Sequence, residues 1–600
     1  MKPIVRVANA SGYWGDDPDA LLRQVTGGPV DYVTMDFLAE ITMVILQRQR
    51  RRNPQAGFAV DFVEQLERAL PAIVGRGICV VVNAGGINPT GCADAIEALC
   101  KRCGASLPIG VVTGDDLLPR LDALERAGVR LDHMDGERGY GEIRGHIAAA
   151  NAYIGAQPLV AALRAGARIV VAGRTTDAAL ALAPLMHEFN WTWDDWDRLA
   201  AGIAAGHILE CGAQATGGNF TDWLRVPSML DIGYPIAEVE PDGSFAITKH
   251  PGTGGIVTPR TITEQLLYEI GDPRAYLTPD VTADFTSLQL TQDGADRVRV
   301  TGARGLPPPE TLKASIVYRS GYRAVGTVLL SGPNVIAKAE RLAEMVWNRV
   351  GTDFADRRTD CIGFNACWGG AAAADVEPNE VVFRIGVADK DRTKLERFSK
   401  HLLGFALQGP PGLGIFGGRP EVQEAFGFWP ALMPRELVTA EVTVRRAGEA
   451  AITAEVALHL PGRGREPRSP EPAAPTPETA AARTGRVQRV RLDTIAHARS
   501  GDKGDHANIG VAARSAEAYA YLREVLSANR VRAFFRDRVS GPAVRYELPN
   551  LLAFNFLLHH ALGGGGTLSL RVDHQGKTLA QGLLTLELEV PDDVLASVGA

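Results

Sequence analysis

Ile78-Cys79-Val80-Val81-Val82-Asn83-Ala84-Gly85-Gly86-Ile87-Asn88-Pro89 is the stretch that decides the fold. Five apolar residues run without a polar break, as a strand does when both of its faces are covered. A polar, glycine-bearing turn ends the run, and an amphipathic helix follows from about residue 91. The same unit recurs on either side. Apolar strands are expected at 4–8, 31–35, 109–112 and 168–172, each followed by a polar or glycine-rich turn and a helix. Strands of this kind alternating with helices make a parallel sheet with helices on both faces, so the first 190 residues predict a mostly parallel, doubly wound α/β domain.

From about 210 to 460 the pattern loosens into an α+β elaboration. Strand-like runs fall at 256–259, 314–318, 324–330, 381–387, 441–444 and 452–460, and the plainest helix at 335–349. Within this 1–460 region a subdivision falls near 225. Residues 461–486 carry six prolines and almost nothing large and apolar, which predicts an extended linker. Residues 487–600 read as a small ferredoxin-like α+β domain, with strands at 490–495 and 509–513, helices at 515–527 and 551–562, and closing strands at 567–572 and 579–590.

At 600 residues, 46% hydrophobic and 22% charged, the chain is too long for one core and too apolar for a disordered one. A net charge of −7 argues against holding nucleic acid by bulk electrostatics. No apolar run is long enough to span a membrane, and Met1-Lys2-Pro3-Ile4 leads into a strand with no apolar signal core, so a cytoplasmic chain is expected. Seven cysteines at irregular spacing make no disulfide framework. The Cys100–Cys103 pair lacks a second pair for zinc, and these thiols read as reduced and structural. Sixty-five glycines exceed the usual ~7% of residues, which points to tight turns or to backbone approaching a ligand.

In a parallel sheet every strand-to-helix turn lies beyond the carboxyl ends of the strands, where helix N-termini and free N–H groups converge. Five separate turns therefore become one constellation: Asn9, Ser11, Asp36, Asn83, Gly85, Gly86, Asn88, Thr113, Asp115, Asp116, Arg174, Thr175 and Asp177. No GxGxxG opens the first turn and no phosphate-loop lysine is present, so neither a nicotinamide nor an ATP fingerprint exists. Asp115, Asp116, Thr175 and Asp177 also stand where helix caps belong. Arg174 differs, because a cation at a helix N-terminus opposes the helix dipole and calls for an anionic ligand or a carboxylate partner. Asp36 and Glu40 share a face and are equipped for acid–base work or a divalent metal; a solvated pair or a salt bridge to Arg6 or Arg174 is the alternative.

Three further glycine-rich stretches, at 210–219 (with Gly217, Gly218 and Asn219), 250–255 and 408–414, suit either phosphate cradles or plain turns. Cys211 has no base paired with it in the sequence. The densest polar cluster is His497-Ala498-Arg499-Ser500-Gly501-Asp502-Lys503-Gly504-Asp505-His506-Ala507-Asn508. A turn between strands needs one or two Gly or Asp, so the surplus reads as a binding or catalytic loop, a lid that reaches the main site in its own or a neighbouring subunit. His559 and His560 on the later apolar run read as structural.

Residues 5–15, 31–40, 83–89, 173–177 and 217–219 resemble the AtuA family, the acyclic terpene utilisation proteins, and the 497–508 cluster resembles the ferredoxin-fold domain attached behind it. The resemblance covers nearly the whole chain apart from the linker. It implies breakdown of citronellol- and geraniol-type acids, alongside acyl-CoA carboxylases and enoyl-CoA hydratases, and assigns no residue a role. The roles expected here therefore come from the turns: Asp36, Arg174, Asp177, Lys503 and His506 for catalysis, and Asn9, Ser11, Asn83, Gly85, Gly86, Asn88, Thr175, Gly217, Gly218, Asn219, Arg499, Ser500 and Asp502 for binding. The preferred reading is a cytoplasmic catabolic enzyme acting on an acyl-CoA or carboxylate by hydration, lysis or hydrolysis. The alternative is a non-catalytic subunit or assembly factor of a neighbouring acyl-CoA carboxylase. No nucleic acid or membrane partner is expected; a metal and a homo-oligomer are left open.

Overall fold

The computed structural model describes residues 2–136, 138–371, 377–458, 486–566 and 568–599, so nearly all of the expected 461–486 linker lies outside the described residues. The chain divides into two compact units. The first comprises Met1–Val317, Trp429–Pro475 and Glu547–Ala553, the second Tyr318–Phe428, Thr476–Tyr546 and Phe554–Ala600.

The first unit is built on an eleven-stranded sheet. At its centre Val5–Asn9, Tyr32–Met35, Cys79–Val82, Ile169–Ala172 and Ile109–Thr113 lie side by side in that order, all parallel. Every residue of Tyr32–Met35, Cys79–Val82 and Ile169–Ala172 is buried, as unbroken apolar strands require. Antiparallel strands extend both edges: Ile236–Val239 pairs with Val5–Asn9, and Thr439–Arg445 with Ile109–Thr113. Helices cover the sheet through apolar stripes. In Val60–Arg76, Phe62, Leu66, Ala69, Leu70 and Ile73 are buried at helical spacing, and Gly77, in the left-handed region at φ +66, ends the helix.

Strand order decides where a ligand can enter. The helix Pro89–Arg102, which follows Cys79–Val82, packs on Ile109–Thr113 and Ile169–Ala172. The helix Ala179–Phe189, which follows Ile169–Ala172, packs back on Val5–Asn9, Tyr32–Met35 and Cys79–Val82. Two neighbouring strands thus send their helices in opposite directions, and that reversal opens a crevice beyond their carboxyl ends.

In the second unit, Asp356–Ile362 pairs antiparallel with Glu380–Asp389, which pairs with residues 322–331. The helices Val335–Val350 and Arg392–Leu402 supply Leu342, Val346, Leu395 and Phe398 to the core around Phe383. The C-terminal ferredoxin-like fold is a four-stranded sheet in the order Ala496–Lys503, His506–Ala513, Ala553–Leu558, Ala543–Leu548. The helices Ala516–Val525 and Ala528–Phe534 accompany it.

Several expected elements differ. Residues 314–318 and 324–330 belong to one strand, Thr311–Ser331; the polar residues between them are half-buried or exposed and disguise its continuity. The expected helix at 551–562 contains instead the strand Ala553–Leu558, buried at all but one position, because a short apolar run covered on both faces has no period to tell it from a helix. Residues 568–572 form no strand, and 579–590 divides into the helix Leu579–Leu583 and the strand Glu587–Pro591. The expected strand at 256–259 is irregular backbone that leads into the helix Pro259–Leu266.

Candidate functional site

Side-chain hydrogen bonds join the turns of the parallel sheet in two groups, the first three and the last two. Ser11 Oγ donates to the Asp36 carbonyl at 3.0 Å, joining the first turn to the second. Asn83, fully buried, donates from Nδ2 to Asp36 Oδ1 at 2.5 Å and accepts from the Phe37 N–H at 2.8 Å. Asp115 Oδ2 accepts from the Arg174 N–H at 2.8 Å and from Asn151 Nδ2 at 2.9 Å, joining the fourth turn to the fifth. Only glycine fits at 173, since a Cβ there would stand 2.3 Å from Asp115 Oδ1. Arg174 Nη1 donates to Asp177 Oδ1 at 2.8 Å. Its guanidinium lies over the Tyr153 ring, 4.3 Å from the centroid, and the Lys313 ammonium stands 5.0 Å from the same ring. The Tyr153 hydroxyl donates to Glu40 Oε1 at 2.7 Å.

These groups set one another's charge. Burial, with Asp177 close by, pushes the Asp36 carboxyl well above the usual carboxylate range, against the pull of Arg174 and the Asn83 hydrogen bond. Burial acts on Glu40 in the same sense, but Lys313, Arg174 and the Tyr153 hydroxyl together hold it below its ordinary value. Burial alone would favour a neutral Arg174, yet Tyr153, Asp177, Glu40 and Asp36 keep it firmly charged. Burial pushes Asp115 up to about 6 despite the hydrogen bonds it accepts. A second carboxyl also feels Asp177: burial raises Glu210, although His207, whose Nδ1 lies 2.8 Å from Glu210 Oε1, opposes the shift. Arg174 Nε, Thr175 Oγ1, His207 Nε2 and Glu210 Oε2 are buried without a hydrogen-bond partner. Orphaned buried polar atoms are costly, and a polar ligand would satisfy them.

A cavity of about 170 Å³ opens at the same edge, walled by Gly86, Asn88, Thr113, Asp115 and Asp116 with Arg50. Among the described residues no three His, Cys, Asp or Glu side chains are grouped to hold a metal ion. The arrangement gathers two carboxyls shifted in opposite directions and two cations around one phenol.

The family described as Acyclic terpene utilisation family protein AtuA matches residues 5–444. The chain belongs to that family. The AtuA ferredoxin-like domain matches residues 490–589. No curated protein and no solved structure matches the chain. No helix among the described residues of this AtuA-family protein is long and apolar enough to cross a membrane.

Within the AtuA region the structure brings Asp36, Asn83, Arg174, Thr175 and Asp177 to one edge. Other expected site residues there have local reasons for their identity. Asn9 closes a turn on Ser11, accepting its N–H at 3.1 Å. Gly86 lies at φ +53, and a Cβ at Gly85 would stand 2.5 Å from the Ala172 carbonyl oxygen, so close backbone packing accounts for both. Asn88 caps the helix Pro89–Arg102 by accepting from the Gly91 N–H at 3.0 Å. Gly217, Gly218 and Asn219 follow the short turn Gly212–Thr216; Gly217 and Asn219 adopt positive φ, and what Gly217 and Gly218 approach is Ile256 and Ala213. Tyr153, Lys313, Asn151, His207 and Glu210 escaped the sequence reading. Asn151 in an alanine run and His207 with Glu210 at the end of a buried helix were the available signals, polar groups where periodicity demands apolar ones.

The C-terminal cluster is a hairpin rather than a loop. Ala496–Lys503 pairs with His506–Ala513 in continuous register from Ala496 opposite Ala513 to Lys503 opposite His506, with only Gly504 and Asp505 turning. Its polar residues point into the second unit: Arg499, Ser500 and His506 are buried, Ser500 Oγ donates to the Gly576 carbonyl at 2.6 Å, and His506 Nδ1 accepts from the His560 N–H at 3.1 Å. Lys503 is exposed, and Asp502 lies 3.7 Å from Lys577.

Proposed function

We propose that this AtuA-family chain is a cytoplasmic catabolic enzyme whose carboxyl-edge cluster acts on a branched carboxylate or its acyl-CoA thioester by proton transfer, in hydration, lysis or hydrolysis. The observation that carries the proposal is the pair Asp36 and Glu40: around one Arg174, burial drives the first carboxyl up while two cations drive the second down. Carboxyls forced apart in this way divide the labour of acid and base. Asp36 is the proton donor and Glu40, oriented by Tyr153, the acceptor. Arg174 and Lys313 receive the substrate's carboxylate or carbonyl oxygen and stabilise the negative charge that develops there. Asp177, a third exposed at the rim, holds the guanidinium in place. The seven free cysteines fit a reducing compartment.

The test is Asp36→Asn. Asparagine keeps the acceptor that Asn83 uses and replaces a carboxyl whose ionisation burial opposes, so the fold is expected to be as stable as before. Turnover of the branched acyl-CoA or acid that most stabilises the wild-type chain in a thermal-shift screen is expected to fall ~10²–10⁴-fold. Full activity in this variant, or no response to any member of that class, contradicts the proposal. One observation favours a second reading, a non-catalytic subunit that docks a carboxylase: Trp223, Leu224, Met229 and Leu230 stand exposed in one short stretch. That reading predicts co-purification that survives Asp36→Asn and fails in Leu224→Asp/Leu230→Asp.

A further inference from the structure

The second unit concentrates arginines far beyond the carboxylates that touch them. Arg358 and Arg384 share one buried partner, Asp360, with Arg358 Nη2 at 2.8 Å and Arg384 Nη1 at 3.2 Å from its oxygens. Arg384 Nη1 also donates to the Leu570 carbonyl at 2.5 Å, which places it beside Arg571 in the chain. Arg571 Nη1 donates to the carbonyls of Ala561 and, at 2.9 Å, Arg538. Arg538, 4% exposed, donates from Nη2 to the carbonyls of Asn365 and Ala366 at 3.1 and 2.6 Å. Four guanidiniums from four segments are thus linked by contacts, with one carboxylate among them.

Two of these cations, Arg538 and Arg571, form no ion pair among the described residues. Asp356 and Asp505 act on Arg571 only at a distance, and Asp505 is engaged by the His560 ring at 2.9 Å and the Gly564 N–H at 2.6 Å. Three of the four feel the crowding. Burial together with Arg358 and Arg571 brings Arg538 down to about 10, and burial with neighbouring arginines also lowers Arg571 and Arg384. Arg323 adds a further positive charge near Arg384.

A buried cation without counter-charge, as Arg538 is, costs several kcal/mol unless compensated, and Arg358, Arg384 and Arg571 stand half-buried beside it. We propose that Arg358, Arg384, Arg538 and Arg571 form a binding site for a phosphate-type oxyanion bearing more than one negative charge, of the phosphate monoester or pyrophosphate class. Guanidinium forks arriving from several directions suit the three-dimensional oxygen array of a phosphoryl group, and the surplus of charge exceeds what one carboxylate neutralises. Gly563 and Gly369 keep the approach open: a Cβ on either would stand 3.1 Å from Arg571 Nε and Arg538 Nε respectively.

The experiment uses the full chain with inorganic pyrophosphate as probe, and phosphate, citrate and ionic-strength-matched sodium chloride for comparison. Saturating pyrophosphate is expected to raise Tm by ~2–4 °C, with sodium chloride having no such effect. By calorimetric titration, Arg571→Gln and the milder Arg358→Gln, which forfeits only contacts to Asp360, are each expected to weaken pyrophosphate binding about tenfold or more. If Arg571→Gln fails to fold, Arg358→Gln and the wild-type titration decide alone. No binding to wild type at millimolar pyrophosphate, unchanged affinity in the folded variants, or an equal response to citrate overturns the proposal.

Discussion

The two charged clusters of this protein are built on opposite balances. Around Arg174 and Lys313 in the first unit stand Asp36, Glu40 and Asp177, and these carboxyls hold Arg174 charged against its burial. Around Asp360 in the second unit stand four arginines, and burial with neighbouring cations pushes Arg384, Arg538 and Arg571 down. A buried charge that its neighbours stabilise is part of the fold, whereas one that its neighbours oppose is an unfilled demand. The sign of the imbalance, more than the number of charges, separates a site that carries its own counter-ions from one that waits for them.

The sharpest contrast should come from removing one cation from each cluster. Arg174→Ala leaves Glu40 and Asp177 without the buried guanidinium they share and is expected to cost about 3–5 kcal/mol of stability in urea unfolding. Arg571→Gln relieves repulsion and is expected to change anion-free stability by less than ~1 kcal/mol. Equal losses in the two variants would dissolve the distinction.

A smaller effect tests the first cluster through pH. Asp115, raised to about 6, holds its proton longer in the folded than in the unfolded chain, so stability falls as pH rises from about 4 to 6. Both of its hydrogen bonds arrive at Oδ2, and Asn at 115 can keep them. Asp115→Asn should therefore be close to neutral at low pH and stabilising by on the order of 2–3 kcal/mol above pH 6. Glu40 runs the other way: its lowered value gives stability that is present at neutral pH and lost in acid, so Glu40→Gln should destabilise at neutral pH alone. The smallest change is Asn88→Ala, which removes a helix cap and should cost about 1 kcal/mol in the same unfolding experiment.

The parallel core was legible because strands such as Cys79–Val82 and Ile169–Ala172 advertise their burial in unbroken apolar runs. The convergence of Asp36, Asn83, Arg174 and Asp177 followed from the geometry of a parallel sheet. Tyr153 and Lys313 were not legible, since the strands that deliver them, Ile147–Ala152 and Thr311–Ser331, pair with each other across a long stretch of sequence. No local pattern announces that pairing. Glycines misled in the other direction: Gly85 looks like a ligand-facing turn, but a Cβ on it would strike the Ala172 carbonyl oxygen. The C-terminal hairpin was hidden by polar residues that the second unit buries and satisfies internally, against the ordinary expectation that polar means exposed.

The measurement that tests the central claim most directly is the protonation state of Asp36. Infrared difference spectroscopy between wild type and Asp36→Asn, recorded across the pH range from acid to neutral, isolates the carboxyl of that one residue. A protonated-carboxyl band is expected in wild type at neutral pH and is expected to be lost in the variant, while Glu40→Gln removes only an ionised carboxylate. An Asp36 already ionised near pH 4, together with Glu40, would contradict that claim.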